Sequence, residues 1–168
     1  MFYDLLLNSL IFILPSYVAN GSPVLAAKFI HNRHPIDFGK NFWDGRRILG
    51  DGKSIEGFIV GVLAGTLTSL VLQLVGLHSI EEGFILSLGT MLGDSLGSFI
   101  KRRLGIERGG KAPVLDQLTF LVVALGLYCL FFKPIPPIKI IILLLVTLFL
   151  HRFTNIIAFK LGLKSRPW

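Results

Sequence analysis

Two aspartates, Asp94 and Asp116, stand on either side of a short basic segment and are the acids of this chain best suited to chemistry. On a helix of about 3.6 residues per turn, Asp94 lies about 40° from Ser98 and about 20° from Lys101, so a carboxylate, a hydroxyl and an ammonium share one face. Mg²⁺ is a hard cation that takes few protein oxygens and completes its shell with water and phosphate. The pattern therefore predicts a Mg²⁺ site held by the two carboxylates. Taken alone, an acid such as Asp116 at a helix start could simply favour the helix dipole.

The segment WDGRRILGDGKSIEG, residues 43–57, offers a second polar cluster that leads into an apolar run. Its small and polar members are Gly50, Gly52, Lys53 and Ser54. Backbone N–H groups and the positive end of the following helix could bind phosphate oxygens there. The segment is not a Walker A loop, because that motif needs a glycine where this chain has Arg47. The alternative is a polar turn in which Ser54 only caps the helix.

Both clusters border long apolar stretches, and the composition is that of a membrane protein. Hydrophobic residues make up 52% of the chain, charged residues only 16%, and the mean hydropathy is +0.70, whereas soluble domains carry about 25% charged residues. Spanning helices need roughly 17–25 apolar residues. Five segments are predicted to span: 2–19, 55–77, 83–100, 117–132 and 138–162. We expect an all-α integral membrane protein with five transmembrane helices, forming a single transmembrane domain over residues 1–168.

The basic residues predict how these spans are oriented. The loops 21–54 and 101–115 hold 11 of the 17 lysines and arginines. The positive-inside rule then places both basic loops and the C-terminus in the cytoplasm and the N-terminus outside. The first span lacks a basic start and a small-residue cleavage site, so we expect it to be retained and not removed as a signal peptide. The net charge of +7 could by itself reflect only attraction to anionic headgroups.

Glycines recur at every fourth position in two of the predicted spans. The two rows are Gly57, Gly61 and Gly65, and Gly89, Gly93 and Gly97. Small residues at this spacing let helix backbones approach closely in lipid. The second row runs beside Asp94, so close packing there would hold this carboxylate between helices. An ionisable group inside a membrane is expensive and is by default a functional candidate.

Four sequence blocks occur in order between residues 14 and 117: LPSYVANGSPVL, GRRILGDGKSIEG, LGDSLGSFIKRR and PVLDQ. Together they resemble the CDP-archaeol synthase family, which is related to the CDP-diglyceride synthases. The bacterial pattern has a Lys-Asp pair and a His-Gly-Gly before the second aspartate, whereas this chain has Arg108, Gly109 and KAPVL. This departure argues against the bacterial diacylglycerol enzyme.

The resemblance implies a Mg²⁺-dependent transferase of membrane lipid biosynthesis. It would condense CTP with 2,3-bis-O-(geranylgeranyl)-sn-glycerol 1-phosphate, giving CDP-archaeol in its unsaturated form and pyrophosphate. The expected partners are CTP, the isoprenoid-ether glycerol phosphate lipid and the membrane, with no nucleic acid. The active site is expected on the cytoplasmic side of a multi-pass protein of the cell membrane.

The resemblance also implies roles for the residues that match the family's sequence blocks. We expect Asp94 and Asp116 to bind Mg²⁺ and, with Lys101, to be catalytic. The residues expected to contact CTP or its phosphates are Asn20, Arg46, Gly50, Gly52, Lys53, Ser98, Arg102 and Arg108. Asn20 could also be only a turn residue.

Two other functions fit part of the pattern. A CDP-alcohol phosphotransferase would need an Ala-Arg that DGRRIL lacks and an acid where Ser98 stands. A small transporter or channel is the alternative that stays open, because intramembrane residues such as Asp94 and Arg152 also mark ion paths. That alternative would not explain a glycine-rich basic loop.

Overall fold

The computed structural model describes residues 2–107 and 109–163, and the described chain is built from long α helices. They are α1 (Phe2–Ala26), α2 (Ile55–Leu74), α3 (Ile80–Arg103), α4 (Pro113–Phe131) and α5 (Pro137–Lys160). All five are long and apolar enough to cross a membrane. The predicted all-α fold with five spans is confirmed. Since successive spans alternate in direction, the 27–54 segment and the α3–α4 connection lie at the same end of the bundle.

The helices α3, α4 and α5 begin one to four residues before their predicted starts, and the residues at their N-termini explain why. Ser79 caps α3 by accepting a hydrogen bond from the backbone N–H of Glu82 at 3.2 Å. Pro113 and Pro137 occupy the first turns of α4 and α5. Proline suits this position because its missing N–H would have no partner inside the helix. These cues place the three N-termini more precisely than hydropathy does.

The first helix continues to Ala26, so the predicted end at residue 19 is wrong. Pro23 has no N–H to offer the carbonyl of Ala19, which would normally end or kink a helix. That carbonyl lies against Gly61 of α2, where an added Cβ would come within 2.9 Å of it. Close packing against a neighbouring helix thus supports the interruption. Asn20 accordingly lies within the helix and is not a turn residue.

The glycine rows hold α3 at the centre of the bundle. A Cβ added at Gly89 would lie 2.7 Å from the Cα of Ala124, and one at Gly93 would lie 2.6 Å from the Cα of Phe120. These are backbone atoms, so the α3 and α4 backbones are in direct contact along this row. The close packing predicted from the glycine spacing is confirmed for α3, and it fixes the helix that carries Asp94.

Candidate active site

Two lysine–aspartate pairs join three of the helices at one end of the bundle. Lys53, immediately before α2, forms an ion pair with Asp94 of α3. Lys101, in the last turn of α3, places its Nζ 2.5 Å from Oδ1 of Asp116 in the first turn of α4. All four side chains are partly exposed. The predicted acids and cations therefore meet, but each acid is matched to its own ammonium.

Lys53 is positioned by the start of α2 and by a preceding strand-like segment. Ser54 accepts a hydrogen bond from the N–H of Gly57 at 3.1 Å, so it does cap the helix. Residues 34–36 pair with residues 53–55 through two backbone hydrogen bonds of 2.9 Å. The N–H of Ile36 donates to the Lys53 carbonyl, and the N–H of Ile55 donates to the His34 carbonyl. The Lys53 backbone is thus fixed at a position from which its side chain reaches Asp94 of α3.

Asp116 is held by the cap of α4 and by the α3–α4 contact. Its Oδ2 accepts a hydrogen bond from the N–H of Ala112 at 3.2 Å. A Cβ added at Gly97 would lie 3.3 Å from the Leu115 carbonyl, so α4 passes close to α3 just before Asp116. Ser98, between Asp94 and Lys101 on α3, is buried with 5% of its surface exposed. The hydroxyl predicted to contact substrate is therefore more buried than the side chains of the two ion pairs.

Asp37 organises the loop that leads to Lys53, and sequence reasoning did not find it. Its fully buried carboxylate accepts hydrogen bonds from the Arg47 guanidinium at 2.7 Å and from the N–H groups of Gly50 at 2.8 Å, Leu49 at 2.9 Å and Gly39 at 3.2 Å. Burial alone would raise the pKa of Asp37, but these donors together hold that pKa well below its ordinary value. We call this arrangement the Asp37 clamp. The N–H of Gly50, predicted to bind phosphate, is a donor to this clamp.

Arg46 and Arg103 link the same loop to the end of α3. Arg46 donates from Nη1 to the carbonyl of Arg103 at 2.7 Å and to that of Arg102 at 3.4 Å, so it satisfies carbonyls at the helix C-terminus. Arg103 in turn donates to the carbonyl of Arg47 at 2.6 Å and pairs with Asp44. The structure thus assigns the Arg46 side chain to joining loop and helix, while its predicted role toward phosphate stays a prediction.

Three further predicted residues lie in the described part of the chain. Asn20 is half-buried near the end of α1, Gly52 is exposed beside Lys53, and Arg102 lies in the last turn of α3. Arg108 lies outside the described residues. Within the described residues no three His, Cys, Asp or Glu side chains form a group that could hold a metal by themselves. The Mg²⁺ site predicted at Asp94 and Asp116 stays a prediction.

The chain is similar to known proteins over nearly its full length. A family model described as "CarS-like: CDP-archaeol synthase" matches residues 2–168. The CDP-archaeol synthase of Pyrobaculum islandicum is 51% identical over 164 residues, which cover 97% of this chain and 99% of that protein. The CDP-archaeol synthase of Methanocaldococcus jannaschii is 47% identical over 182 residues, with 100% of both chains covered.

A solved structure agrees with these sequence matches. It is described as an intramembrane enzyme for archaeal membrane lipids biosynthesis, and it shares 39% identity and a TM-score of 0.81 with this chain. The match covers 90% of this chain and 94% of the other. The resemblance predicted from four ordered sequence blocks is thereby confirmed, and the chain belongs to the CDP-archaeol synthase family.

Proposed function

We propose that this protein transfers the cytidylyl group of CTP to 2,3-bis-O-(geranylgeranyl)-sn-glycerol 1-phosphate, forming unsaturated CDP-archaeol and pyrophosphate. The observation that carries the proposal is a pair of lysine–aspartate contacts, Lys53 with Asp94 and Lys101 with Asp116. Both contacts lie at the same end of the helix bundle. Ammonium groups suit phosphates and carboxylates suit a divalent cation, so the cluster offers the charges that a nucleotide and a lipid phosphate require.

The reaction needs positioning and charge more than it needs a protein nucleophile. A phosphate oxygen of the lipid attacks the α-phosphorus of CTP, and the bond from that phosphorus to the oxygen bridging the α- and β-phosphates breaks. Pyrophosphate leaves with the electron pair of that bond. Lys53 and Lys101 would bind phosphate oxygens and stabilise the negative charge that develops on the departing group. Both ammonium groups end flexible side chains, so each can move from its aspartate to a phosphate.

Asp94 and Asp116 are the residues that would hold Mg²⁺. Their oxygens are hard donors, and both carboxylates are partly exposed, which suits an ion that keeps water and phosphate in its shell. When bound, the ion would supply positive charge beside the phosphate oxygens. Displacing both lysines from the carboxylates would leave two free ammonium groups at the same place. The carboxylates would then compensate the charge of the metal ion, and the ammonium groups would compensate the charge of the nucleotide phosphates.

We propose that this end of the bundle faces the cytoplasm. The two basic loops lie at this end, and the positive-inside rule favours the cytoplasm for such loops. CTP would then enter from water onto the 46–54 loop, while the lipid phosphate reaches the site laterally with its two chains still in the bilayer.

Replacing each acid by its amide tests the proposal. Purified protein is incubated in detergent with labelled CTP, the geranylgeranyl glycerol phosphate and Mg²⁺, and labelled lipid and pyrophosphate are measured. Asp94→Asn and Asp116→Asn should each lower the rate by about 100-fold or more, since several kcal/mol of charge stabilisation are lost. The matched control is Glu107→Gln, which removes an exposed carboxylate from the nearby α3–α4 connection.

Folding must be separated from chemistry in these variants. Each should extract from membranes and elute from a sizing column like the unaltered protein. A well-folded Asp94→Asn or Asp116→Asn variant with near-normal activity would remove that residue from the site. If the unaltered protein forms no CDP-lipid but transports an ion, the proposed enzymatic function is wrong and the protein is a transporter.

A further inference from the structure

The tip of a hairpin beside the site exposes an aromatic side chain. Residues 40–48 fold back on themselves: the N–H of Phe42 donates to the Arg46 carbonyl at 2.7 Å and the N–H of Ile48 to the Lys40 carbonyl at 3.2 Å. A tight turn with a hydrogen bond from the N–H of Gly45 to the Phe42 carbonyl closes this 40–48 hairpin. Trp43 lies in that turn with 91% of its surface exposed. A tryptophan this exposed at a hydrogen-bonded turn requires an explanation.

The hairpin is docked on the end of a helix face that meets the bilayer. Leu92, Leu96 and Phe99 of α3 fall within about 60° of one another around the helix. Leu92 and Leu96 are 43% and 45% exposed in a helix that spans the membrane, so this face is open to lipid. The ring of Phe42 meets that of Phe99 edge to face at 5.3 Å. The lipid-facing stripe of α3 therefore continues without a break into the hairpin.

Trp43 extends the same apolar surface by one more residue. Its ring packs edge to face on Phe42 at 5.7 Å. The guanidinium of Arg103 lies over Phe42 and Phe99, 4.8 Å and 5.1 Å from their ring centres, so a cation accompanies the aromatic rings where α3 leaves the membrane. Tryptophan and arginine at the end of a spanning helix are the side chains that favour the headgroup region.

We propose that Trp43 and the tip of the 40–48 hairpin insert into the boundary between headgroups and acyl chains of the adjoining leaflet, which is the partner of this exposed aromatic surface. Charge favours the same partner. Residues 27–54 contain six lysines and arginines against three aspartates, so the loop is attracted to anionic headgroups. On the function proposed above, the insertion would hold the loop that carries Lys53 at the depth of a lipid phosphate, because the Asp37 clamp joins Arg47 of the hairpin to Gly50 of that loop. Arg46 ties the same hairpin to the end of α3.

Fluorescence can test the insertion directly, because the chain has only two tryptophans. Trp168→Phe leaves Trp43 as the single reporter in the full-length protein. The variant is reconstituted into bilayers of anionic lipid, with and without lipids brominated near the headgroup end of the acyl chains, and is titrated separately with acrylamide. Insertion predicts that shallow bromines quench roughly half of the emission or more and that acrylamide quenches little.

Two reporters placed elsewhere calibrate the measurement. In a background with both natural tryptophans changed to Phe, Leu67→Trp reports a lipid-facing position of α2, and His31→Trp reports an exposed position of the same loop. Trp43 quenching that matches the His31→Trp reporter would place the hairpin in water and overturn the proposal. Protection from both quenchers would show that a second copy of the chain covers Trp43, which also overturns it. The test involves no assay of activity, so its failure leaves the proposed reaction untouched.

Discussion

At the scale of single residues, we expect the Asp37 clamp to affect the chemistry from a distance by fixing the loop that leads to Lys53. The carboxylate fixes Arg47, Leu49 and Gly50 ahead of Lys53, so we expect Asp37→Asn to misplace that lysine. The amide keeps the volume but loses the charge and one acceptor, and it leaves Arg47 without its buried partner. The KM for CTP should rise by about tenfold, equivalent to about 1.4 kcal/mol of binding. Asp51→Asn is the matched control, because Asp51 also pairs with Arg47 but is 58% exposed.

The clamp should also respond to pH, which separates positioning from catalysis. Because the folded-state pKa of Asp37 is lowered from 3.8, its contribution to loop stability is present above that value and is lost as pH falls toward the folded pKa. The unaltered loop should therefore resist limited proteolysis at neutral pH and become sensitive on strong acidification. Asp37→Asn should be cleaved in the loop already at neutral pH. Equal resistance of variant and parent at neutral pH would contradict the clamp.

A third prediction at this scale concerns Lys53 and the binding of CTP. If its ammonium moves from Asp94 to a phosphate, Lys53→Ala should weaken CTP binding about tenfold or more even in lipid-free micelles, since a charge-assisted contact is lost. Lys53→Arg keeps the charge but not the compact ammonium, and it should bind CTP better than the alanine variant does. Isothermal titration with CTP and Mg²⁺ measures both. If CTP binding is undetectable in the unaltered protein until lipid phosphate is added, the lipid assembles the site and the preformed arrangement is wrong.

The two lysine–aspartate pairs also show how much of the site could be predicted from the sequence. Helical periodicity correctly places Asp94, Ser98 and Lys101 on one face of α3. It does not tell which partner each side chain takes, and Lys101 contacts Asp116 of the next helix while Asp94 takes Lys53. Those contacts join residues far apart in the chain, so they depend on how the helices pack. Asp37 was missed for the same reason, because its donors meet it only through the path of an irregular loop.

At the scale of helices, the α3–α4 contact should tolerate no added volume. Gly93→Ala would bring a methyl group 2.6 Å from the Cα of Phe120 and 2.7 Å from the carbonyl of Thr119. Backbone atoms cannot rotate away, so the helices must separate, at about 1–3 kcal/mol. We expect a lower Tm in detergent and loss of activity. Gly126→Ala, on α4 with nothing within 4 Å of the added carbon, should leave both unchanged. An equal loss of Tm in the two variants would contradict close packing as the cause.

Helix number and helix ends were not equally predictable. Hydropathy was sufficient to find all five spans, because a bilayer demands long apolar segments. It misplaced the end of α1, since asparagine, glycine and proline in VANGSPV are usual turn residues. Contact with α2 supports the helix there, as the Ala19 carbonyl against Gly61 shows. Such support comes from a neighbour and is invisible in the local sequence.

At the scale of the whole molecule, the odd number of spans places the start of α1 and the end of α5 at opposite faces, and the site shares its face with the end of α5. Cysteine labelling decides which face this is. Cys129 is the single cysteine, so Cys129→Ala provides a background without thiols. Asp51→Cys and Glu107→Cys report the end that holds the site, and Glu81→Cys, at the start of α3, reports the other end; all three positions are exposed.

We expect a membrane-impermeant maleimide added to intact cells to label Glu81→Cys and to leave Asp51→Cys and Glu107→Cys unlabelled until the membrane is broken. The physical reason is the concentration of lysine and arginine at this end of the bundle, where segments 21–54 and 101–115 hold 11 of the 17 in the chain and resist transfer across a membrane. A water-borne nucleotide made inside the cell could then reach Lys53 without crossing the bilayer. The opposite labelling, with Asp51→Cys reactive in intact cells, would put the site on a face where CTP is not supplied, and the proposed reaction could not take place there.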